Sequence, residues 1–372
     1  MTKRANSDRP ASDQPLAGRK ILVAGAGVIG LWQAVCLRRA GADVTLCDAA
    51  ETPDLSQASR YAGAMLSPWC EAETAPDVVC AAGVEGLKLW RDVYPDLTRA
   101  GSLVLATPRD QPDLRQFAKR TTNHEVCDSA RIRELEPDLD ERFPQALYFP
   151  EEAHMSAPAA LAFLRQSLMS TGCQLKLGQT LEECGRHGFD YVIDARGLAA
   201  QPALPDLRGV RGERLIVRCP DVSLNRPVRL LHPRHQFYMV PWSDHHFMVG
   251  ATVIENEQTG PATVRSVLEL LGLAYAVHPA FADAEIIDVG AGVRPSFADN
   301  VPRARIEGKN PDAGGTTIFV NGAYRHGFLI APSLAQAVTN WCVDPTTNHP
   351  LLEKRVRPSA SQPQAPVGLA NG

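Results

Sequence analysis

The sequence of 372 residues is 44% hydrophobic and 22% charged, a composition typical of a globular protein with a sizeable core. Its net charge of −4 provides no basic surface for nucleic acid or an anionic membrane, and no apolar run is long enough to span a bilayer. Nine scattered cysteines without a C-x-x-C pair argue against a disulfide framework or a zinc site and favour a reducing, cytoplasmic location. We therefore expect no metal, no nucleic-acid partner and no membrane association.

Both ends of the chain are polar and contain several prolines. Residues 1–18 lack the apolar stretch of a secretory signal and are predicted to form a disordered leader. Residues 346–372 are predicted to be a largely disordered tail, because their composition offers little apolar surface to bury.

The first predicted elements form a strand–helix–strand unit. Lys20–Ala24 is a short apolar run that predicts a buried parallel strand. A helix with apolar residues at helical spacing follows and ends at Gly41, and residues 42–49 predict a second strand that carries Asp48 near its end. Such a unit is typical of the start of a Rossmann-type domain.

The turn between the first strand and the helix has the pattern G-x-G-x-x-G, formed by Gly25, Gly27 and Gly30. The first glycine allows a tight turn, the second lets the backbone approach a pyrophosphate, and the third allows close packing of helix and strand. Asp48, about 20 residues further on, would accept hydrogen bonds from an adenosine ribose and disfavours a 2′-phosphate. The pattern predicts a dinucleotide site but does not distinguish FAD from NAD.

A run of small residues, 56–68, follows the second strand soon after Asp48. Small residues suit a loop that lies over a flat ring with its backbone donors exposed, whereas an NAD-dependent dehydrogenase usually continues into another strand–helix unit. This run favours FAD over NAD.

The later segments alternate between helices and strands. Helices are predicted at 84–94, 114–121, 158–170, 263–276 and 330–341. Strands are predicted at 102–106, 191–195, 285–293 and 317–321, and in alternating runs between 214 and 253. The order predicts an α/β (α+β) fold in which a mainly antiparallel β substrate domain (83–149 and 209–297) is inserted into a discontinuous Rossmann-type FAD-binding domain (19–82, 150–208 and 298–345).

Several blocks of the sequence resemble the D-amino-acid-oxidase superfamily. Residues 23–49 are similar to its FAD fingerprint, and residues 58–71 (ASRYAGAMLSPWCE) are similar to its flavin-covering loop. Further similar blocks follow in order: VIDARG, VRGERLIV, FYMVP with VGAT, GVRPSFADNVPR and NGAYRHGFLIAP. The resemblance covers roughly residues 19–345 and is strongest to the glycine oxidases of thiamine biosynthesis.

The resemblance implies non-covalent FAD, since no cysteine stands in a context similar to that of covalent flavin attachment. The residues that it places against the cofactor are Gly25, Gly27, Val28, Ile29, Gly30, Asp48, Ala49, Ser59, Tyr61, Ala64, Met65, Leu181, Gly197, Arg325, His326, Gly327, Phe328 and Leu329.

The resemblance also implies three catalytic residues. Arg294 in GVRP would bind the substrate carboxylate through its planar guanidinium, and the hydroxyl of Tyr238 in FYMVP would bond the same carboxylate. Arg325 in YRHG would lie beside the flavin and the substrate.

The implied reaction transfers a hydride from the substrate Cα to flavin N5. Oxygen is reduced to hydrogen peroxide, and the imine product is hydrolysed to glyoxylate or supplied to thiazole synthesis. The expected partners are a small amino acid and O₂, further copies of the chain in a homo-oligomer such as a tetramer, and a functional link to thiazole synthase.

Other interpretations remain open from the sequence. Trp242 stands where the family commonly has Arg, and Val253 occupies a pocket-lining position at which related oxidases differ, so the choice among glycine, sarcosine and small D-amino acids stays open. The alternatives are a D-amino-acid dehydrogenase with a non-oxygen acceptor, a flavin-binding module that acts on modified tRNA, and an NAD-dependent dehydrogenase. The lack of a basic amphipathic segment argues against the dehydrogenase, which would often associate with membranes. The acidic net charge argues against the tRNA-modifying module, and the run of small residues at 56–68 argues against the NAD-dependent enzyme.

Overall fold

A computed structural model describes residues 14–52, 58–139, 142–308 and 315–355. Its strands are β1 (Lys20–Ala24), β2 (Asp43–Asp48), β3 (Met65–Leu66), β4 (Ser102–Leu105), β5 (Glu125–Asp128), β6 (Gln145–Phe149), β7 (Ala153–His154), β8 (Gln174–Leu177), β9 (Tyr191–Asp194), β10 (Arg208–Arg218), β11 (Val228–Leu230), β12 (Phe237–Pro241), β13 (His246–Gly250), β14 (Glu285–Ser296), β15 (Arg303–Glu307), β16 (Thr316–Asn321) and β17 (Leu352–Arg355). Its helices are α1 (Val28–Arg39), α2 (Pro68–Glu71), α3 (Asp77–Val93), α4 (Gln111–Arg120), α5 (Ser129–Leu135), α6 (Ala157–Ser170), α7 (Leu181–Cys184), α8 (Val264–Val277) and α9 (Gly327–Val343).

The first sheet has the strand order β17–β15–β16–β9–β1–β2–β8 in the described part of the chain. β1 is apolar and buried beyond its first residue, and it pairs in parallel with β2 on one side and with β9 on the other. The chain therefore changes direction across the sheet at β1, and the carboxyl ends of β1, β2 and β9 border a crevice. Ligands of open α/β sheets bind at such a switch point.

A helical layer covers one face of the first sheet and is built on α1, α3, α6 and α9. The rings of Trp32 in α1 and Trp90 in α3 meet edge to face, with centroids 4.8 Å apart. The indole Nε1 of Trp90 also donates a hydrogen bond to the carbonyl of Phe328 at 2.6 Å, so α3 holds the first turn of α9.

Two glycines allow α3 and α9 to approach closely. A Cβ added at Gly86 would lie 2.0 Å from the carbonyl oxygen of Leu329, and one added at Gly83 would lie 2.8 Å from the side chain of Leu329. Since α9 begins at Gly327, this contact fixes the position of its N-terminus.

The second sheet has the strand order β14–β10–β13–β12–β11–β4–β6–β5. Its neighbours pair antiparallel, except that β11 and β4 are parallel. α8 packs an apolar core against one face, and the opposite face borders the crevice of the first sheet. Within the ranges described, no helix combines the length and apolarity needed to cross a membrane.

The predicted α/β fold is confirmed, and the first sheet is assembled from three separated stretches of chain. The predicted domain limit between residues 82 and 83 differs from the structure, because it falls inside α3, whose buried side chains belong to the core of the first sheet. Helix α3 begins seven residues before the predicted start of a helix at 84, directly after Pro76, which is the N-cap.

The predicted ends of the chain also need correction. Leu16 is buried and its N–H donates to the carbonyl of Ala40 at 2.9 Å, so residues 14–18 are ordered. Leu351 is buried and β17 pairs in parallel with β15, so the ordered chain extends to residue 355. Both segments are too short to show periodicity in the sequence, and the rest of the predicted leader and tail lies outside the described residues.

Candidate functional site

A cavity of about 840 Å³ lies where the carboxyl ends of β1, β2 and β9 meet the second sheet. It brings together the predicted site residues from both ends of the chain. The predicted residues that line it are Gly25, Gly27, Val28, Ile29, Asp48, Ala49, Ser59, Tyr61, Ala64, Met65, Leu181, Gly197, Tyr238, Arg294, Arg325, His326, Gly327, Phe328 and Leu329.

Gly30, the remaining predicted residue, is not among the lining residues. A Cβ added there would lie 1.8 Å from the carbonyl oxygen of Gly25, so Gly30 supports the turn from behind. Gly25 has a φ of +101°, and an added Cβ would lie 2.5 Å from the carbonyl oxygen of Ala195. Both positions therefore require glycine. Gly30 is required for close packing, and Gly25 is required both for close packing and for its positive φ.

Two helix N-termini open into the cavity. α1 follows the N-cap residue Gly27, which has no side chain, and α9 follows the N-cap residue His326, whose side chain accepts no capping hydrogen bond. The Ser59 hydroxyl accepts a hydrogen bond from the N–H of Val28 at 3.1 Å. Free N–H groups and the positive end of the helix dipole attract negative charge, so both ends are suited to an anionic ligand group.

Asp48 is held at the end of β2 by the glycine-rich turn. Its Oδ2 accepts from the N–H of Ala26 at 2.6 Å, and its Oδ1 accepts from the N–H of Ala50 at 2.9 Å. A carboxylate at this position is the type of group that accepts hydrogen bonds from the hydroxyls of a ribose.

These features fit FAD. The turn from Gly25 and the start of α1 would hold the pyrophosphate, and Asp48 would hold the adenosine ribose. Leu181, the first residue of α7, also lines the cavity, and the start of α7 is fixed by a capping box between Thr180 and Glu183. The start of α9 lines the cavity as well, and its dipole would stabilise negative charge on the flavin ring.

The predicted carboxylate-binding pair lies on the second sheet. Arg294, on β14, reaches across Gly212, where an added Cβ would lie 2.1 Å from the guanidinium. The guanidinium donates to the carbonyl of Thr252 at 3.2 Å. Burial raises the pKa of Tyr238, whose hydroxyl lies beside Arg294 and remains a hydrogen-bond donor at neutral pH. The two side chains therefore present donors side by side.

Arg325 is held by three partners at the edge of the cavity. Its guanidinium donates to Gln236 Oε1 and Thr74 Oγ1, both at 2.7 Å, and forms an ion pair with Glu71 at 2.9 Å. Burial alone would raise the pKa of Glu71, but Arg325 and the neighbouring cations bring it down to about 2. Burial lowers the pKa of His326 to about 4, so its ring is neutral at pH 7.

The polar lining residues that the sequence does not predict include Glu71, Arg229 and Gln236. Glu71 ends the four-residue α2, which is too short to have a periodic pattern. Arg229 does carry a signal, because it interrupts an apolar strand between Val228 and Leu230, where a charged side chain needs a partner. Among the described residues, no group of three His, Cys, Asp or Glu side chains is arranged to hold a metal ion.

Comparison with known proteins identifies the family of this chain. Residues 20–341 match the family described as FAD dependent oxidoreductase (DAO). A thiamine biosynthesis oxidoreductase, ThiO, from Rhizobium etli is 48% identical over 320 residues, which cover 86% of this chain and 95% of that protein. Glycine oxidase from Pseudomonas aeruginosa is 27% identical over 353 residues, covering 84% and 92%.

A solved structure shows the same fold. Glycine oxidase from Bacillus cereus superposes with a TM-score of 0.73 at 21% identity, over 89% of this chain and 96% of that chain. The family match, the 48% identical relative and the shared fold agree with the cavity described above, and the chain belongs to the DAO family of FAD-dependent oxidoreductases.

Proposed function

We propose that this chain is a glycine oxidase that binds FAD non-covalently and oxidises glycine, and also sarcosine and small D-amino acids. The observation that carries the proposal is the placement of Arg294 and Tyr238 in the same cavity as the glycine-rich turn and Asp48. A carboxylate-binding pair and a dinucleotide site in one cavity suit an enzyme that holds an amino acid against a flavin.

The side chains of this cavity bind and orient the substrate. The guanidinium of Arg294 would receive the substrate carboxylate in a bidentate arrangement, and the protonated hydroxyl of Tyr238 would donate a third hydrogen bond. Both are fixed by the second sheet, so the substrate Cα is held in one orientation.

FAD, when bound, would accept the hydride from the substrate Cα and pass the electrons to O₂ to give hydrogen peroxide. Hydride transfer requires no base that removes a proton from Cα, and the side chains near Arg325 are weak proton acceptors, since the pKa of Glu71 is about 2 and that of His326 is about 4. The imine product would be hydrolysed to glyoxylate and ammonia or supplied to thiazole synthesis. The 48% identity to a protein of thiamine biosynthesis supports the second route.

Two residues bear on the size of the accepted substrate. Val253 lines the cavity and is 38% exposed, and we propose that it bounds the space for a small substituent of the substrate. Trp242, like Tyr238 and Met65, packs against a small apolar cluster of the second sheet, but it is not among the lining residues. This arrangement supports oxidation of sarcosine and small D-amino acids beside glycine.

The proposal includes assembly as a homo-oligomer, with a tetramer as the expected form, and a functional link to thiazole synthase. Light scattering of the purified holoenzyme tests the first part, with a monomer mass as the contradicting result. Formation of the thiazole in a reconstituted mixture, with glycine and O₂ as the only imine source, tests the second.

An anaerobic titration of the purified holoenzyme with glycine tests the reaction, followed by admission of air. We expect the flavin absorbance band to bleach with glycine and to recover in air with release of hydrogen peroxide. Bleaching without recovery would indicate a dehydrogenase with another electron acceptor. Bleaching with a larger D-amino acid but not with glycine would overturn the proposed substrate.

A further inference from the structure

Arg229 lies next to the predicted carboxylate-binding pair. It is on β11, and the antiparallel register places it directly opposite Tyr238 on β12. Directly opposite residues point to the same face of a sheet, with their Cα atoms about 4.5–5.5 Å apart. Accordingly, Arg229 and Tyr238 both line the cavity.

The guanidinium of Arg229 has few partners in the protein. One nitrogen donates to the Cys70 sulfur at 3.5 Å and lies 3.8 Å from Glu71, and the group lies 5.3 Å from the ring centroid of Phe117. Its other nitrogens donate no hydrogen bond to any described residue. The side chain is only 13% exposed, and a buried guanidinium has five donors that need acceptors.

Glu71 does not supply the missing acceptor. Its Oε2 forms an ion pair with Arg325 at 2.9 Å, whereas its Oε1 lies 3.8 Å from Arg229, beyond hydrogen-bond distance. The remaining donors of Arg229 are therefore available to a ligand in the cavity that this residue lines.

The balance of charges at this end of the cavity also favours a ligand with a second negative group. Three guanidinium groups line it, those of Arg229, Arg294 and Arg325, and the ionised carboxylate among the described lining residues at this end is Glu71. A ligand with one carboxylate would neutralise Arg294 and leave a second positive charge without an anion of its own.

We propose that Arg229 is a second anion-binding group of this site and that it takes the second carboxylate of an amino dicarboxylic acid. This inference rests on the proposed function in one respect, because the first carboxylate is assigned to Arg294 and Tyr238. It extends the substrate class from glycine to amino acids with an acidic substituent.

Matched inert ligands test the subsite without turnover. The holoenzyme is titrated with propionate and malonate, and with butyrate and succinate, while the flavin absorbance spectrum is recorded. In each pair a methyl group is replaced by a carboxylate, and we expect the dicarboxylate to bind at least about tenfold more tightly. Equal affinities within either pair in the wild-type holoenzyme would overturn the proposal without any variant.

Two variants then separate the side chain from general electrostatic attraction. Arg229→Gln is expected to remove the preference for dicarboxylates, whereas Arg229→Lys, which keeps the charge, retains part of it. FAD content and thermal unfolding of each variant establish that it is folded. A preference of unchanged size in a folded Arg229→Gln variant would contradict the assignment.

A second experiment uses substrates instead of inert ligands. It compares how the rate of anaerobic flavin reduction depends on the concentration of D-aspartate and of D-alanine. We expect D-aspartate to saturate the reaction at a lower concentration, and the reverse order would overturn the proposed substrate class. Failure of the glycine oxidase proposal is distinguishable. In that case neither glycine nor a D-amino acid reduces the flavin, while malonate and succinate still bind more tightly than their partners.

Discussion

Arg294 is the residue whose truncation should have the clearest effect on substrate binding. Arg294→Ala removes the guanidinium fork from the pair that Arg294 forms with Tyr238 in the cavity. We expect FAD to be retained and the KM for glycine to rise strongly, with a loss of about 2–5 kcal/mol, as for truncation of one partner of a buried charge pair. Steady-state kinetics provide the measurement, and a KM within about twofold of wild type would exclude the carboxylate role.

Glu152 is a buried carboxyl that should make stability depend on pH. It accepts from the N–H of Cys70 at 2.8 Å and from the hydroxyl of Ser102, but burial dominates and raises its pKa from 4.5 to about 7. Between these values the folded state binds more protons than the unfolded state, so stability falls as the pH rises from 4.5 to 7. The contribution is up to about 3 kcal/mol.

Glu152→Gln tests this dependence. The variant should lose the part of the pH dependence that Glu152 causes, measured as the free energy of unfolding in denaturant at pH 5 and pH 8. Glu134→Gln, at an exposed position on α5, is the control and should keep the wild-type slope. Parallel slopes for wild type and Glu152→Gln would contradict the prediction.

Site residues can be predicted from the sequence where the position demands one residue type for a known chemical reason. Gly25 and Asp48 belong to this class, since each position of the glycine pattern and the following acid has its own chemical reason. Family membership then identifies FAD, rather than NAD, as the dinucleotide. Glu71 and Arg229 are not readable in this way, because their environment arises only when α2, β11 and α9 are brought together.

At the scale of elements, the contact between α3 and α9 is the one most sensitive to an added methyl group. Gly86→Ala would place a Cβ 2.0 Å from the carbonyl oxygen of Leu329, so α9 has to move. We expect a loss of about 1–3 kcal/mol, as in an overpacked core, together with weaker FAD binding because the start of α9 lines the cavity. Thermal unfolding and FAD titration measure the two effects.

Gly272→Ala is the matched control, since Gly272 lies inside α8 and an added Cβ would have no atom within 4 Å. This change should be stabilising by up to about 1 kcal/mol, because alanine has the higher helix propensity. If both variants shifted stability by the same amount and in the same direction, the close packing of α3 and α9 would not be the cause.

Elements with a strong periodic pattern are predicted to within a few residues, and those without one are not. α8 is predicted at 263–276 and found at Val264–Val277, because its apolar residues recur at helical spacing. β8, β15 and β17 are not predicted, since each is four or five residues long and is fixed by pairing with a strand distant in the sequence.

For the molecule as a whole, the cavity between the two sheets predicts that FAD stabilises both. A ligand that binds only the folded state, at a hundred times its Kd, adds about 2.7 kcal/mol to the free energy of unfolding. Thermal unfolding of the apoprotein, followed by tryptophan fluorescence, should shift upwards with added FAD as one transition. Trp90 reports on the first sheet and Trp242 on the second.

FMN is the control ligand, because it lacks the adenosine that Asp48 and Leu181 would contact. A smaller shift with FMN is expected at the same concentration. Two separate transitions, of which only one responds to FAD, would contradict a cofactor site shared by both sheets.

The architecture of the whole chain is partly readable from the sequence. The separated segments of the nucleotide-binding part are recognisable, since an initial strand–helix–strand unit and a final α/β segment flank a strand-rich middle. The position of α3 is not readable, because its packing partner α9 lies near the other end of the sequence and only the folded structure brings Gly86 to Leu329.

The assembly of the first sheet from three separated stretches of chain has a consequence for folding during synthesis. β1 emerges from the ribosome before its neighbour β9, and α9 emerges after both. Domains form as units during synthesis, and this one lacks a wall of its cavity until α9 is available. A nascent chain that ends before Gly327 is therefore unable to enclose FAD, so cofactor capture has to follow the synthesis of α9.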